Sequence, residues 1–210
     1  MLRYDIINHL ISKKNYKRYL EIGVEDGHSI HKVKCDLIHG VDPASKHATF
    51  EVPSDEFFKM LDTFSPNTTY DIIFIDGLHV AEQVDRDIIN SVNHLSPNGT
   101  IVVHDCNPPT PWHARSFEEA KKNGCRQWNG NVWESIAKVR ATRPDLDVKV
   151  VDTDWGCGII QKVPVEYQSS NQTRMLQDLP DKLTYEYLNQ YRTTILNLIS
   201  PQQFLDTLVV

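Results

Sequence analysis

The sequence predicts an α/β protein with a doubly wound, mostly parallel sheet that carries helices on both faces. Short β-rich runs alternate with helical segments or polar loops along the chain, and they cover residues 19–22, 37–41, 71–75, 100–103, 148–151 and 158–160. The runs DIIFID and GTIVVHD are apolar without alternation. Continuous apolar runs are typical of strands that are covered on both faces, so these two runs are predicted to be central strands.

Helical spacing appears both between the strands and in the tail. Four apolar residues, each four positions from the next, predict a crossover helix before SPNG; they are Val80, Val84, Ile88 and Val92. A second stripe in the tail is formed by Leu188, Tyr191, Ile195 and Leu198. Ser200 and Pro201 then suggest a helix N-cap and a first helical residue. We therefore predict a main domain over residues 1–162. Residues 163–210 are predicted to be a linker and a C-terminal helical appendage, packed on that domain or on the partner subunit of a homodimer.

Composition excludes several classes of function. With 28 acidic and 22 basic residues, the 210-residue chain has a net charge of −6, which argues against nucleic-acid binding. No run approaches the roughly 20 apolar residues needed to span a membrane, and the N-terminus lacks a signal-peptide core. The cysteines Cys35, Cys106, Cys125 and Cys157 form no C-x-x-C pair, so reduced thiols are expected. A cytoplasmic protein fits these features best.

The stretch YLEIGVEDGHS indicates a nucleoside site. It follows a predicted strand at the edge where glycines and helix N-termini receive ligands in doubly wound sheets. Asp42 ends the next strand 19 residues after Gly23 (42 − 23), close to the roughly 20 expected for an acid that binds ribose hydroxyls. The acids Glu21, Glu25 and Asp26 would repel a pyrophosphate. A phosphate-free nucleoside with cationic groups, such as S-adenosylmethionine, satisfies both observations.

Four motifs in this order resemble those of class I S-adenosylmethionine-dependent methyltransferases: YLEIGVEDGHS, GVDP, YDIIFIDGLH and GTIVVHD. The resemblance covers about residues 15 to 162 and is closest to small-molecule O-methyltransferases of the macrocin and catechol type. It implies a seven-stranded Rossmann-like sheet. It also implies that Glu21, Gly23 and Gly27 line the methionine end of the cofactor and that Asp42 holds the ribose. Ser54 and Asp55 are weaker candidates for residues that edge the adenine.

The catalytic residues are expected at the ends of the two central strands, near Asp76 and His104. Methyl transfer to a hydroxyl needs a group that removes or masks the hydroxyl proton, and an ordinary histidine suits that role at neutral pH. We prefer His79 because it lies three residues past its strand, whereas His104 adjoins its strand and is expected to turn toward the core. Asp76 is predicted to stay near the sulfonium.

A metal site is also suggested at this edge. The resemblance implies Mg²⁺ ligands at Asp76 and Asp105, since hard carboxylate oxygens suit a hard cation. The next position, where related enzymes carry Asp or Asn, is Cys106, and a soft thiolate does not suit Mg²⁺. Asn107 or His104 are the alternative third ligands.

The acceptor class rests on the tryptophans. Trp112 and Trp128 lie in predicted loops near the last strands, whereas Trp133 lies on a predicted helix and is explained by core packing. Indole faces stack on sugars or aromatic rings, so a sugar or glycan-precursor hydroxyl is the leading acceptor. Two alternatives stay open: an NAD(P)-dependent oxidoreductase, which would normally carry G-x-G-x-x-G, and a non-catalytic adenosyl-binding partner subunit.

Overall fold

The computed structural model describes residues 1–122, 127–172, 175–176 and 179–207. Seven strands form one sheet in the order β2-β1-β3-β4-β6-β5-β7. The strands are β1 Arg18–Ile22, β2 Leu37–Val41, β3 Tyr70–Ile75, β4 Leu95–Val103, β5 Leu146–Val151, β6 Cys157–Lys162 and β7 Leu198–Ile199. Strand β6 runs antiparallel to both of its neighbours, and all other pairs are parallel. The predicted mostly parallel, seven-stranded sheet is therefore confirmed.

Eight α-helices occur in the described part of the chain. They are α1 Arg3–Lys14, α2 Ser54–Phe64, α3 Ala81–Asn93, α4 Phe117–Lys122, α5 Val132–Thr142, α6 Gln168–Gln172, α7 Tyr185–Leu196 and α8 Pro201–Thr207. Helix α3 joins the two central strands β3 and β4. Val84, Ile88 and Val92 of the predicted stripe are buried on its apolar face, whereas Val80 is the extended N-cap residue before the helix. The SPNG segment after this helix lies within β4, where the pairing with β3 shifts register.

The sheet has a core on each face because both sets of alternating side chains along its central strands are buried. On one face, Ile73 and Ile75 pack among residues of helices α2, α3, α5 and α7. On the other face, Ile72 and Phe74 pack among residues of α1 and α8. This double covering positions the carboxyl ends of β1, β2, β3 and β4 along one open edge.

The C-terminal segment contributes to both cores. Leu188 and Ile195 of α7 are buried on one face, and Phe204 of α8 is buried on the other. The predicted cap is confirmed, since Ser200 Oγ accepts a hydrogen bond from the Gln203 amide and Pro201 begins α8. The predicted helical stripe is wrong at Tyr191, which is 44% exposed at a kink in α7, and at Leu198, which pairs in β7 beside β5. Sheet pairing replaces the last helical turn there because Asn197 adopts a left-handed conformation that ends α7.

Two expectations from composition concern membranes and cysteines. Among the described residues, no helix has the length and apolarity needed to cross a membrane. Cys35, Cys106 and Cys157 are free thiols, and Cys125 lies outside the described residues.

Candidate active site

A cavity of about 820 Å³ opens at the carboxyl edge of the parallel strands. Its wall includes residues that directly follow β1, β2, β3 and β4, together with the first turns of α2 and α3. A ligand at this edge meets loop amides and strand-end side chains, as in other doubly wound sheets. Among the predicted site residues, those that line the cavity are Glu21, Gly23, Asp42, Ser54, Asp76, His79, His104 and Asp105.

Two glycines shape the turn after β1. Gly23 has a φ of +86°, and a Cβ at this position would lie 2.1 Å from the carbonyl oxygen of Asp76. Only glycine fits such a close approach of two backbones. Gly27, with a φ of +79°, donates its amide to the Val24 carbonyl and supports the turn from behind. A side chain at Gly23 would therefore collide with the backbone that follows β3, and glycine allows these two segments of the cavity wall to lie against each other.

Asp42 organises this same loop. Its Oδ2 accepts hydrogen bonds from the amides of Val24 and Glu25, and its Oδ1 accepts from those of Ala44 and Ser45. Partial burial would raise the pKa of Asp42, but these four amides lower it below its ordinary value. The carboxylate lines the cavity, as ribose binding requires. Each carboxylate oxygen already accepts hydrogen bonds from two backbone amides, so a ribose hydroxyl would be an additional donor to one of these oxygens.

Glu21 is a buried acid at the other side of the loop. It is 1% exposed and accepts a hydrogen bond from the Tyr19 hydroxyl. Burial is the main cause that raises its pKa to about 8. At neutral pH this carboxyl is therefore mostly protonated in the free protein, and a cation placed beside it would favour its ionised form.

Ser54 belongs to a polar group at the far end of the cavity. Its hydroxyl donates to Oδ1 of Asp87 at 2.6 Å, and the Gln83 amide donates to the same oxygen at 3.1 Å. Asp87 is 1% exposed, and burial raises its pKa to about 6. Asp55 instead forms an exposed salt bridge with Arg86 and does not line the cavity.

The predicted catalytic residues come together at the ends of β3 and β4. Nε2 of His79 lies 3.4 Å from Oδ1 of Asp76 and 3.2 Å from Oδ2 of Asp105. Nδ1 of His104 lies 3.2 Å from the same Asp76 atom and 3.3 Å from the same Asp105 atom. The four atoms thus alternate between imidazole nitrogens and carboxylate oxygens. The His79 side chain is 21% exposed and that of His104 is 5% exposed, so His79 is the more accessible ring.

These contacts determine the charges of the rings. Burial alone would lower the pKa of His79, but its hydrogen bond to Asp76 and the charges of Asp105 and Asp76 raise it to about 9. Burial would lower the pKa of His104, but the charge of Asp76 and hydrogen bonds to Asp105, Asp154 and Asp76 together raise it well above its ordinary value. Burial would raise the pKa of Asp76, whereas the two rings hold it well below its usual range. Both rings are therefore cations at neutral pH in the free protein.

Backbone and side-chain contacts hold this group in place. Nδ1 of His79 lies 2.8 Å from the Trp128 carbonyl, which can only accept, so this nitrogen carries a proton and Nε2 faces the carboxylates. Asp105 has a φ of 61°, a left-handed conformation that is uncommon outside glycine. The buried side chain of Asn129 donates to its Oδ1 at 2.8 Å. The Asn129 contact was not foreseen from the sequence, since its loop carries no motif.

Arg3, at the start of α1, reaches the same edge and was also not foreseen. Its Nε lies 3.6 Å from Oδ2 of Asp76, and its Nη1 lies 3.1 Å from Asp154 and 3.3 Å from Nε2 of His104. Asp154 lies in the turn between β5 and β6 and is 3.7 Å from Nε2 of His104. In this group three carboxylates lie against three cations, and the six residues are Asp76, Asp105, Asp154, Arg3, His79 and His104. No sequence pattern links Arg3 to the group, because it is 101 positions from His104 and 151 positions from Asp154.

The carboxylate and imidazole atoms at the ends of β3 and β4 are also the candidate ligands of the predicted metal. Asp76 and Asp105 meet as a shared ion would require, and His104 contributes the neighbouring imidazole nitrogen. The other two candidates face elsewhere, because the Cys106 thiol donates to the Val103 carbonyl and the Asn107 amide donates to Asp152. Two carboxylates with an imidazole can hold a divalent ion, although this donor set suits Mn²⁺ or Zn²⁺ better than Mg²⁺.

The tryptophans differ in their placement. Trp128 lines the cavity, and its ring lies against His79 with centroids 5.3 Å apart. Trp112 is 51% exposed and carries the Arg115 guanidinium over its ring at 3.7 Å. Trp133 is 1% exposed in the core, as predicted.

The sheet order and the position of the cavity define the class I S-adenosylmethionine-dependent methyltransferase fold. Residues 30–106 match a family model described as a methyltransferase domain. Both findings agree with the resemblance to the family, and they confirm the fold predicted from the sequence. The predicted enzyme class and cofactor agree with them.

Solved structures give the same fold. An O-methyltransferase from Bacillus cereus, in complex with SAH, is 15% identical and has a TM-score of 0.53, with 77% of this chain and 80% of that chain covered. The cofactor-bound protein Rv0187 from MTB is also 15% identical and has a TM-score of 0.54, with 77% and 81% covered. A search of curated proteins found no match to the sequence.

Proposed function

We propose that the protein transfers a methyl group from S-adenosylmethionine to a hydroxyl of a small molecule. One observation carries this proposal: a single cavity is lined both by the Gly23 turn with Asp42 and by the His79–Asp76 pair. Gly23 and Asp42 are the residues that the sequence predicts to bind a nucleoside. His79, in the other pair, is the candidate base. A dinucleotide would need a phosphate-binding turn, whereas this turn carries acids.

The chain's own residues supply binding and proton transfer. S-adenosylmethionine supplies the methyl group when it is bound. The part of the cavity lined by Gly23 and Glu21 accepts the cofactor's amino-acid portion, with the Glu21 carboxyl facing its amino group, and Asp42 faces its ribose. Ser54, with Asp87 behind it, edges the adenine.

His79 is the proposed general base for the acceptor hydroxyl. Its Nε2 is the more accessible of the two imidazole nitrogens that face Asp76 and Asp105. Because its pKa is about 9 in the free protein, the ring must lose a proton before it can accept one from the acceptor. His104 and Asp76 hold the ring and balance its charge. If an ion occupies this site, Asp76, Asp105 and His104 would hold it, and it would lower the pKa of a bound hydroxyl.

The acceptor is proposed to be a sugar or a glycan precursor. Trp128 supports this choice because its indole lines the cavity beside His79. An indole face beside the base can stack on the C–H face of a pyranose and leave one hydroxyl directed to the ring nitrogen. Trp112, the other candidate, is not among the residues that line the cavity.

Calorimetric titration with S-adenosylmethionine, S-adenosylhomocysteine, NAD⁺ and NADP⁺ tests the cofactor. We expect binding of the two adenosyl ligands only, and binding of a nicotinamide cofactor alone would overturn the proposal. Transfer of a labelled methyl group to panels of free, phosphorylated and nucleotide-linked sugars, with catechols as a comparison panel, tests the acceptor. Tight adenosyl binding without transfer to any acceptor would favour a non-catalytic partner subunit.

A further inference from the structure

The guanidinium of Arg3 has hydrogen-bonding capacity that the protein does not use. Its Nε donates to Oγ of Ser29 at 3.0 Å, and its Nη1 lies 3.1 and 3.2 Å from the two Asp154 oxygens. Across the described ranges, no residue accepts a hydrogen bond from Nη2, and this atom is not among the buried unpaired groups. Nη2 is therefore accessible and has two unused N–H groups, on a side chain that lines the cavity.

The charges around the cavity make this cation distinctive. Among the described lining residues, Arg3 is the one lysine or arginine, whereas seven carboxylic acids line the same space: Glu21, Glu25, Asp26, Asp42, Asp76, Asp87 and Asp105. An anionic group on a ligand would be repelled by most of this wall. The His79 and His104 rings are also cations, but both already face Asp76 and Asp105, so the guanidinium with its unused N–H groups is the better place for such a group.

The position of Arg3 matches one end of the proposed cofactor. Arg3 lies near enough to Glu21 for its charge to act on that carboxyl, and its partner Ser29 also lines the cavity. Glu21 is the residue proposed to face the cofactor's amino group. In an amino acid the carboxylate is one carbon away from the amino group, so an acid and an arginine side by side complement the two groups.

We propose that Arg3 binds the carboxylate of the amino-acid portion of S-adenosylmethionine. This inference rests on the proposed function. A guanidinium with free N–H groups suits a carboxylate because the two planar groups can form charge-assisted hydrogen bonds. The contacts of Arg3 with Asp154 and Ser29 hold it in position before the ligand arrives. The first turn of α1 would thus supply a specificity-determining residue that no motif of the sequence contains.

The test compares two ligands that differ in the amino-acid portion. S-adenosylhomocysteine contains the carboxylate, whereas 5′-methylthioadenosine keeps the adenosine and the sulfur but lacks the amino-acid group. Dissociation constants are measured by calorimetry for the wild type, Arg3→Gln, Arg3→Lys and the control Arg86→Gln, which removes the exposed salt bridge with Asp55. Thermal melting of each variant reports whether the fold is retained.

In Arg3→Gln we expect the affinity for S-adenosylhomocysteine to fall about 10- to 100-fold, the loss typical of a hydrogen bond to a charged group. The affinity for 5′-methylthioadenosine should stay within about threefold. Arg3→Lys keeps the charge and should show a smaller loss with the same ligand selectivity, which serves as the test if Arg3→Gln does not fold. Arg86→Gln should change neither affinity.

Equal losses for both ligands would overturn the inference, because they would show that Arg3 only supports the cavity wall. Unchanged affinity for S-adenosylhomocysteine would overturn it as well. A wild type that binds neither ligand would instead refute the proposed function, and the inference with it. The two failures are therefore distinguishable from the wild-type titrations alone.

Discussion

Nε2 of His79 lies 3.2 Å from Oδ2 of Asp105, although the two residues follow different strands of the sheet. The same nitrogen lies 3.4 Å from Oδ1 of Asp76. Two carboxylates on one imidazole nitrogen stabilise the protonated ring, and this explains why the pKa of His79 rises to about 9 despite its burial. The proposed base is thus protonated at neutral pH in the free protein. A higher pH, or a change in the charges beside the ring, is needed to deprotonate it.

We predict that His79→Ala lowers turnover by about 10²- to 10⁴-fold and leaves cofactor affinity nearly unchanged, as is typical for removal of a general base. The pH profile gives a second test. A base must be deprotonated to act, so kcat/KM of the wild type should rise with pH through about 9 and fall about tenfold per unit below it. Steady-state rates measured from about pH 6 to about pH 10 would show this.

The matched control for this experiment is His104→Ala, which removes the less exposed ring. Retained turnover in His79→Ala with loss in His104→Ala would move the base to the end of β4. If both variants stay active, proton removal belongs to solvent or to a metal ion.

A second prediction concerns Glu21. Because its pKa is about 8 in the free protein, most of this carboxyl is protonated at pH 7. A cationic amino group beside it would favour the carboxylate, so binding of S-adenosylmethionine should release close to one proton at pH 7. Calorimetry in buffers of different ionisation enthalpy measures the number released. The release should disappear in Glu21→Gln, and a wild type that releases no proton would separate Glu21 from the amino group.

Asp87 leads to a prediction about stability. Burial raises its folded pKa to about 6 from an ordinary value of 3.8, so the folded state favours the protonated form. Its stabilising contribution is present below pH 3.8 and is lost as pH rises through about 6. Over this window the charge costs on the order of 3 kcal/mol. An asparagine in place of Asp87 has no ionisable group, so it would avoid this cost.

In urea denaturation we therefore expect the free energy of unfolding of Asp87→Asn to increase relative to that of the wild type as pH rises from about 4 to about 8. The increase should reach up to about 3 kcal/mol. The amide oxygen can still accept from Ser54 and Gln83, which makes the variant a close match. A difference between the two proteins that does not change with pH would show that the Asp87 carboxyl titrates normally.

The fourth prediction concerns the metal. If Asp76, Asp105 and His104 hold a divalent ion, excess EDTA should abolish methyl transfer and an added ion should restore it. We expect Mn²⁺ to act at lower concentrations than Mg²⁺, because an imidazole nitrogen is among the donors. Calorimetry of ion binding to Asp105→Asn reports the site without activity, and the control is Asp36→Asn, which changes an exposed acid paired with Lys17. Full activity in excess EDTA would rule out the ion.

The local pattern of the chain was sufficient to predict the sheet and much of the site. Continuous apolar runs mark β3 and β4 as central strands, and strand ends in a doubly wound sheet share one edge. The convergence of Asp76 and His79 with His104 and Asp105 follows from that rule alone. Gly23 was also predictable, because a glycine directly after the first strand indicates a close backbone approach.

The tertiary structure decided the features that depend on residues far apart in sequence. Arg3 meets Asp154 across 151 positions, Asn129 reaches Asp105, and Leu198 leaves its helical stripe to pair with β5. The charge state of His79 also belongs to this level, since a pKa depends on burial and on every nearby charge rather than on the residue's own motif. Sequence periodicity records which face of an element is buried, whereas the partners of a buried polar group are determined only when separate elements pack together.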